Sequence, residues 1–142
     1  MILIDANVPI YAYDTSSARH LTAKAWLENA LATEADVRFG LITLMAFLRV
    51  VTNPTVLTRP LSVAAATEIS MAWLSRANVR ICEPTDRHWP LFAVLATVGQ
   101  ARGPLLMDAH LAALAIEHGA TLISTDRDFA RFPGLRWSNP LE

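Results

Sequence analysis

Two hydrophobic periods alternate along the chain. Short apolar runs recur at "MILID", "VRFG", "VRICEP" and "TLIS", each of strand length and bounded by polar or turn residues. Between them lie longer segments with apolar residues three and four apart. "NVPIYAYD" predicts a short helix with Asn7 as N-cap and Pro9 in its first turn. "SSARHLTAKAWLENALAT" predicts an amphipathic helix capped by Ser16 or Ser17, with Leu21, Leu27 and Leu31 at helical spacing. "LITLMAFLRVVTN" is apolar nearly all round, which predicts a buried helix stopped by Asn53-Pro54.

"SVAAATEISMAWLSRA" continues the pattern, and Asp86 is placed to open a helix through "RHWPLFAVLATVGQ". "PLLMDAHLAALAIEHG" has Pro104 near its start and Gly119 just past its end, the asymmetry expected of a helix. A short helix at "RDFARF" and a last strand at "GLRW" complete the reading. Strands alternating with helices predict an α/β fold, a central, mainly parallel sheet flanked by helices on both faces.

Composition narrows the class. With 142 residues and 53% hydrophobic content, the chain is long enough to bury a core without staples, and residues 1–142 are expected to form one domain. No apolar run approaches a membrane span, and Asp5 and Asp14 stand where a signal peptide would carry uncharged or basic residues, so a soluble, cytoplasmic protein is expected. Cys82 is the only cysteine, which excludes an intrachain disulfide and a cysteine-based zinc site, and its strand context suits a small buried hydrophobe. A formal net charge of −1 offers no bulk attraction to polyanions.

The chemistry lies in the carboxylates. Asp5 ends the first strand, Asp126 and Asp128 follow "TLIS" without a spacer, and Asp108 opens the helix before that strand. In parallel α/β sheets, sites form beyond the carboxyl ends of strands near a topological switch point, and a central first strand beside "TLIS" would gather these acids at one edge. Each has a structural role open to it: a favourable place at a helix N-terminus for Asp108, an N-cap for Asp126, a turn for Asp5. Together, however, they would repel one another unless a cation sat among them. Oxygen-only ligands suit Mg²⁺ or Mn²⁺. Metal-assisted phosphoryl transfer is the chemistry such a set serves, the ion holding the phosphate and activating an attacking water.

The segments "LIDANVPIYAYD", "MAFLRVVTNP", "MDAHLAALAIEHGATLIST" and "DRDFARFPGLRW", in that order over nearly the whole length, resemble a PIN-domain ribonuclease of the VapC type. The resemblance implies a PIN-like fold, a Mg²⁺- or Mn²⁺-dependent endoribonuclease cutting RNA phosphodiester bonds, and a toxin of a type II toxin–antitoxin pair. It implies Asp5, Asp108 and Asp126 as catalytic metal ligands with Asp128 as a further acid, and Asn7 and Thr125 as supporting polar groups. A VapB-like antitoxin as partner and a homodimer follow from the same likeness. One position departs: where many PIN domains carry Glu before the "FLR"-like segment, this chain has Ala46, and the helix around it contains no acid.

Ala46 favours a rival, a catalytically weakened PIN domain serving as an RNA- or antitoxin-binding module. An aspartyl-nucleophile phosphatase would need a second acid two residues after Asp5, where Asn7 stands. Arg49 either grips an RNA phosphate or salt-bridges a site acid, or it is structural, snorkelling or paired elsewhere. Arg127 and Arg131 read as a solvated helix face. His20, His88, His110 and His118 show no ligand spacing, and the tryptophans and tyrosines read as core or interface.

Overall fold

A computed structural model describes residues 1–142. Strands β1 (Ile2–Ile4), β2 (Val37–Gly40), β3 (Val79–Cys82), β4 (Thr121–Ile123) and β5 (Trp137–Ser138) form one sheet in the order β3-β2-β1-β4-β5. Every pairing is parallel, which goes beyond the mainly parallel sheet expected. β1 is central, and the chain leaves it in one direction to β2 and returns on its other side as β4. The switch point of the sheet therefore lies between β1 and β4.

Helices α1 (Asn7–Tyr13), α2 (His20–Thr33), α3 (Leu41–Val51) and α4 (Val63–Leu74) supply one core; α5 (His88–Val98) and α6 (Leu105–His118) supply the other. The period of two explains the division. Ile4 and Ile123 belong to the first core, and Leu3 and Leu122 to the second, so adjacent residues of each short strand serve opposite faces. In the first core Trp73 stacks on Phe39 with ring centroids 5.1 Å apart and packs against Phe47 at 4.9 Å. In the second, α6 lies on the sheet through Ala109, Ala112, Ala113 and Ala115, whose small side chains permit close approach. Gly119 ends α6 in the left-handed region at φ 68°, a conformation costly for a residue with Cβ, and β4 begins two residues later.

Several local expectations are corrected. Asn7 is the first residue of α1 and not its cap; the capping position falls on Ala6, and the Asn7 amide turns to the sheet edge. Neither Ser16 nor Ser17 caps α2, which begins at His20, and Ser17 Oγ instead accepts from Arg19 N–H in a local turn. Asp86 does not open α5; Thr85 Oγ1 accepts from Arg87 N–H there, one residue before the helix. Helix α3 is buried on one side only: Leu41 and Met45 are more than half exposed, and Arg49 continues their stripe at i, i+4, i+8. An apolar stripe facing solvent has the composition of a core face, and composition alone cannot tell the two apart. "RDFARF" forms a 3₁₀ turn, Arg127–Arg131, and the last strand shrinks to two residues.

Candidate functional site

The parallel register Ile4↔Ile123 brings the carboxyl ends of β1 and β4 out side by side, and Asp5 N–H donates to the Ile123 carbonyl at 2.9 Å. Asp5 is then held from three directions. Its Oδ1 accepts from Ala6 N–H at 2.7 Å, and its Oδ2 accepts from Ser124 Oγ at 2.8 Å and from Asn7 Nδ2 at 3.3 Å. Ser124 is fully buried; while donating to Asp5 it accepts from Asn7 Nδ2 at 3.0 Å and from Asp126 N–H at 3.0 Å. One hydroxyl thus uses its single proton and both lone pairs to tie the two strand ends together. Asn7 thus bonds both Asp5 and Ser124. At Thr125 it is the backbone N–H, 3.4 Å from Asn7 Oδ1, that joins the network.

Asp126 caps the 3₁₀ turn, its Oδ1 accepting from Asp128 N–H at 2.8 Å. The expected cap and the expected site residue are the same carboxylate. Asp108 sits in the first turn of α6, and Asp108, Asp126 and Asp128 each offer a carboxylate oxygen within 4.8 Å of the others. Asp5 is not part of that set; it shares a cavity with Asp108 and couples electrostatically to both Asp108 and Asp126.

The electrostatics register the crowding. Burial pushes the Asp108 carboxyl up to about 6, and Asp126, Asp5 and Asp128 push the same way, with Arg131 opposing. Asp5 is also raised, first by burial and further by Asp126, against the lowering effect of its bonds from Ser124 and Ala6. Arg131 spans the rim, 3.7 Å from Asp128 and donating to the Gly99 carbonyl at 3.0 Å. One arginine against four acids leaves the edge short of positive charge. An all-oxygen donor set with uncompensated negative charge fits a hard divalent cation such as Mg²⁺ or Mn²⁺.

A cavity of about 380 Å³ opens beside Asp5 and Asp108, walled by Thr43, Ala46, Arg49 and Met107. No acid enters it from α3, since Ala46 presents only a methyl group. One turn earlier, Thr43 Oγ1 is buried without a hydrogen-bond partner. Arg49 is exposed, lines the cavity and makes no ion pair, so the salt-bridge readings fall and the phosphate-contact and snorkelling ones stay open. Arg127 pairs with Glu142 at 3.0 Å on the surface, as a solvated helix face requires.

Two arrangements escaped the sequence reading. Ser124 had been counted as the end of a strand; its position two residues before an Asp, where a hydroxyl can accept from the i+2 N–H, was the available signal. The other joins α5 to α6. Glu117 is buried and accepts from Thr85 N–H at 3.2 Å, from the Thr85 hydroxyl at 3.4 Å and from His88 Nδ1 at 3.2 Å. His88 Nε2 lies 2.9 Å from His110 Nδ1. His110 and Glu117 are seven apart on α6, hence on one face, which was the signal for a built polar cluster.

Cys82 is buried in β3, its thiol pushed up to about 11 chiefly by burial, consistent with the packing role expected of it. No helix is long and apolar enough to cross a membrane.

Residues 2–135 match the PIN domain family. The chain is 40% identical over 140 residues to Ribonuclease VapC37 of Mycobacterium tuberculosis, covering 99% of this chain and 97% of that one. It is 38% identical over 142 residues to VapC ribonuclease Mb2897 of Mycobacterium bovis, covering 100% and 97%. Among solved structures it resembles VapBC2 of Rickettsia felis bound to a DNA fragment from its promoter, with TM-score 0.70, 21% identity and 98% coverage of both chains. It also resembles Mycobacterium tuberculosis VapC20, a Sarcin-Ricin loop cleaving toxin, with TM-score 0.67, 19% identity, and 96% and 99% coverage. At these identities the structural likeness speaks for the fold.

Proposed function

The chain belongs to the PIN-domain family and groups with its VapC ribonucleases, and we propose on that premise that it is the toxin of a type II toxin–antitoxin pair, a Mg²⁺- or Mn²⁺-dependent endoribonuclease. The observation that carries the reading is the meeting of Asp108, Asp126 and Asp128 within ligand distance beside Asp5, at the switch point of the sheet. Asp108, Asp126 and Asp128 would hold the ion, with Asp5 completing the acidic edge. A bound divalent ion supplies charge to the scissile phosphate and lowers the pKa of the attacking water.

The chain's own residues do the rest. Ser124 and Asn7 hold Asp5 in one rotamer, so its charge is aimed before substrate arrives. Arg49 faces the cavity free of any acid and is placed to receive an RNA phosphate. A VapB-like antitoxin and a homodimer belong to the same proposal, supported by VapBC complexes of similar fold and by the exposed apolar positions Leu41 and Met45 of α3 and Val94 and Val98 of α5.

The test is cleavage of a structured RNA pool by the purified protein with and without Mn²⁺, beside Asp108→Asn. Metal-dependent cutting that disappears in the variant is the expected result. Ala46 favours a second reading, a binding module without turnover. That reading holds if wild type binds RNA but neither cuts it nor gains thermal stability from Mn²⁺.

A further inference from the structure

Beside the acidic cavity lies a second one of about 390 Å³, sharing Ile42 and Met107 with it and otherwise walled by His88, Trp89, Phe92, Leu106 and His110. Its construction differs from an ordinary apolar hollow. Trp89 is 72% exposed at its mouth, tilted against Phe92 at 5.2 Å, and Met107 and Leu106 stand exposed across from it. A large ring in water at the edge of a candidate active site is a poor choice for stability and a good platform for a flat ligand.

The polar floor is set by hydrogen-bond logic. Glu117 receives a backbone N–H and a hydroxyl from Thr85, so it acts as an acceptor, and His88 Nδ1 must carry the proton between them. His88 Nε2 and His110 Nδ1 lie 2.9 Å apart and share one hydrogen bond. His110 Nε2 is left with no partner in the protein, on a ring that lines the cavity. His118 flanks the same carboxylate, its Nε2 3.9 Å from Glu117 Oε1 with its hydrogen bond given to the Glu83 carbonyl at 2.7 Å.

We propose that this cavity is a nucleobase subsite, in which a base of single-stranded RNA next to the scissile phosphate stacks on Trp89 and hydrogen-bonds through its edge to His110 Nε2. The subsite rests on the ribonuclease reading above. Continuity supports the occupant: the wall of Ile42 and Met107 is common to both cavities, so a strand with its phosphate at Asp108 delivers a neighbouring base here. RNA is read in this manner, by unstacking a base onto an aromatic ring and satisfying its edge. It also answers why a chain with net charge −1 can bind RNA, since stacking needs no positive field.

The test uses Asp108→Asn as a non-cutting background and two probes of equal length, a mixed-sequence RNA oligonucleotide and a sugar–phosphate chain of abasic residues. Affinity for each is measured by fluorescence anisotropy, for that background and with Trp89→Ala, Trp89→Phe or His110→Ala added. The expected result is that Trp89→Ala and His110→Ala weaken binding of the oligonucleotide by about five- to a hundredfold, the range for losing one stacked base, and leave the abasic chain unchanged. Trp89→Phe restores most of the loss, which separates stacking from misfolding. Equal losses on both probes, or none on either, overturn the proposal. So does an unchanged RNA affinity accompanied by a changed oligomeric state of Trp89→Ala in size-exclusion chromatography, which would assign the face to a protein partner. Failure of the nuclease reading is read separately, as absence of cutting by a wild type that still binds RNA through Trp89.

Discussion

Ser124 and Asp5 are joined by a 2.8 Å hydrogen bond across 119 positions of sequence, and this bond is what makes one site from the two ends of the chain. Ser124→Ala removes the only side-chain hydroxyl bound to Asp5 and leaves Asp126 N–H without its acceptor. A loss of about 1–3 kcal/mol in urea unfolding is expected, with metal affinity falling by about ten- to a hundredfold in a Mn²⁺ titration. A variant as stable as wild type and with unchanged metal affinity would remove Ser124 from the site.

Asp108 predicts a pH dependence. Its carboxyl is raised to about 6 in the folded protein against 3.8 ordinarily, so the metal-free folded state takes up a proton that the unfolded chain does not. Stability of the metal-free protein is expected to rise as pH falls from 7 through 6 towards 4, because the proton removes a buried charge and then relieves the repulsion among the acids. Metal affinity should run the other way, weakening below pH 6 as ion and proton compete. Thermal melts with EDTA and with Mn²⁺ across this range should diverge; parallel curves would show that Asp108 is not a ligand.

Ala46→Glu offers a gain of function. The substituted side chain would enter the cavity between Thr43 and Arg49, adding an anionic oxygen where α3 now supplies none. The Mn²⁺ midpoint from thermal shift is expected to fall several-fold, since affinity for hard cations follows ligand charge. An unchanged or higher midpoint would show that the cluster is already complete.

Gly99→Ala tests the packing behind Arg131. A Cβ at Gly99 would lie 2.9 Å from the Leu95 carbonyl oxygen and from two atoms of the Phe132 ring. Because a backbone oxygen cannot move aside cheaply, a destabilisation of about 1–3 kcal/mol is expected by chemical denaturation. A neutral substitution would mean that the 3₁₀ turn shifts freely, and with it Arg131 and Asp128.

How far the sequence disclosed this protein depends on the range of the interaction. Strand runs at Ile2–Ile4 and Thr121–Ile123 and the α6 stop at Gly119 were legible because each is written locally, as apolar period or backbone freedom. Asp5, Asp126 and Asp128 could be named from strand ends and Asp108 from a helix start, yet not that Asp5 stands apart from the other three, which depends on side-chain reach. Asn7 looked like a cap because local propensity favours it there; a partner more than a hundred residues away claimed the amide instead. Leu41 and Met45 carry no local mark of exposure, and their helix was therefore read as buried. The Glu117–His88–His110 relay spans two helices, and no spacing within either could announce it beyond the shared face of His110 and Glu117.

The arrangement of β1 between β2 and β4 also orders events in time. Trp73 and its aromatic neighbours Tyr13, Phe39 and Phe47 all lie between residues 13 and 73, so that cluster closes over shorter loops than the acidic edge, which must await the pairing of β4 with β1. Loop closure favours near contacts first. We expect recovery of Trp73 fluorescence to precede recovery of metal binding in refolding, and simultaneous recovery would refute this order. A chain that has collapsed but not finished would then be harmless to RNA, and the toxic state would be confined to the last step of its own folding.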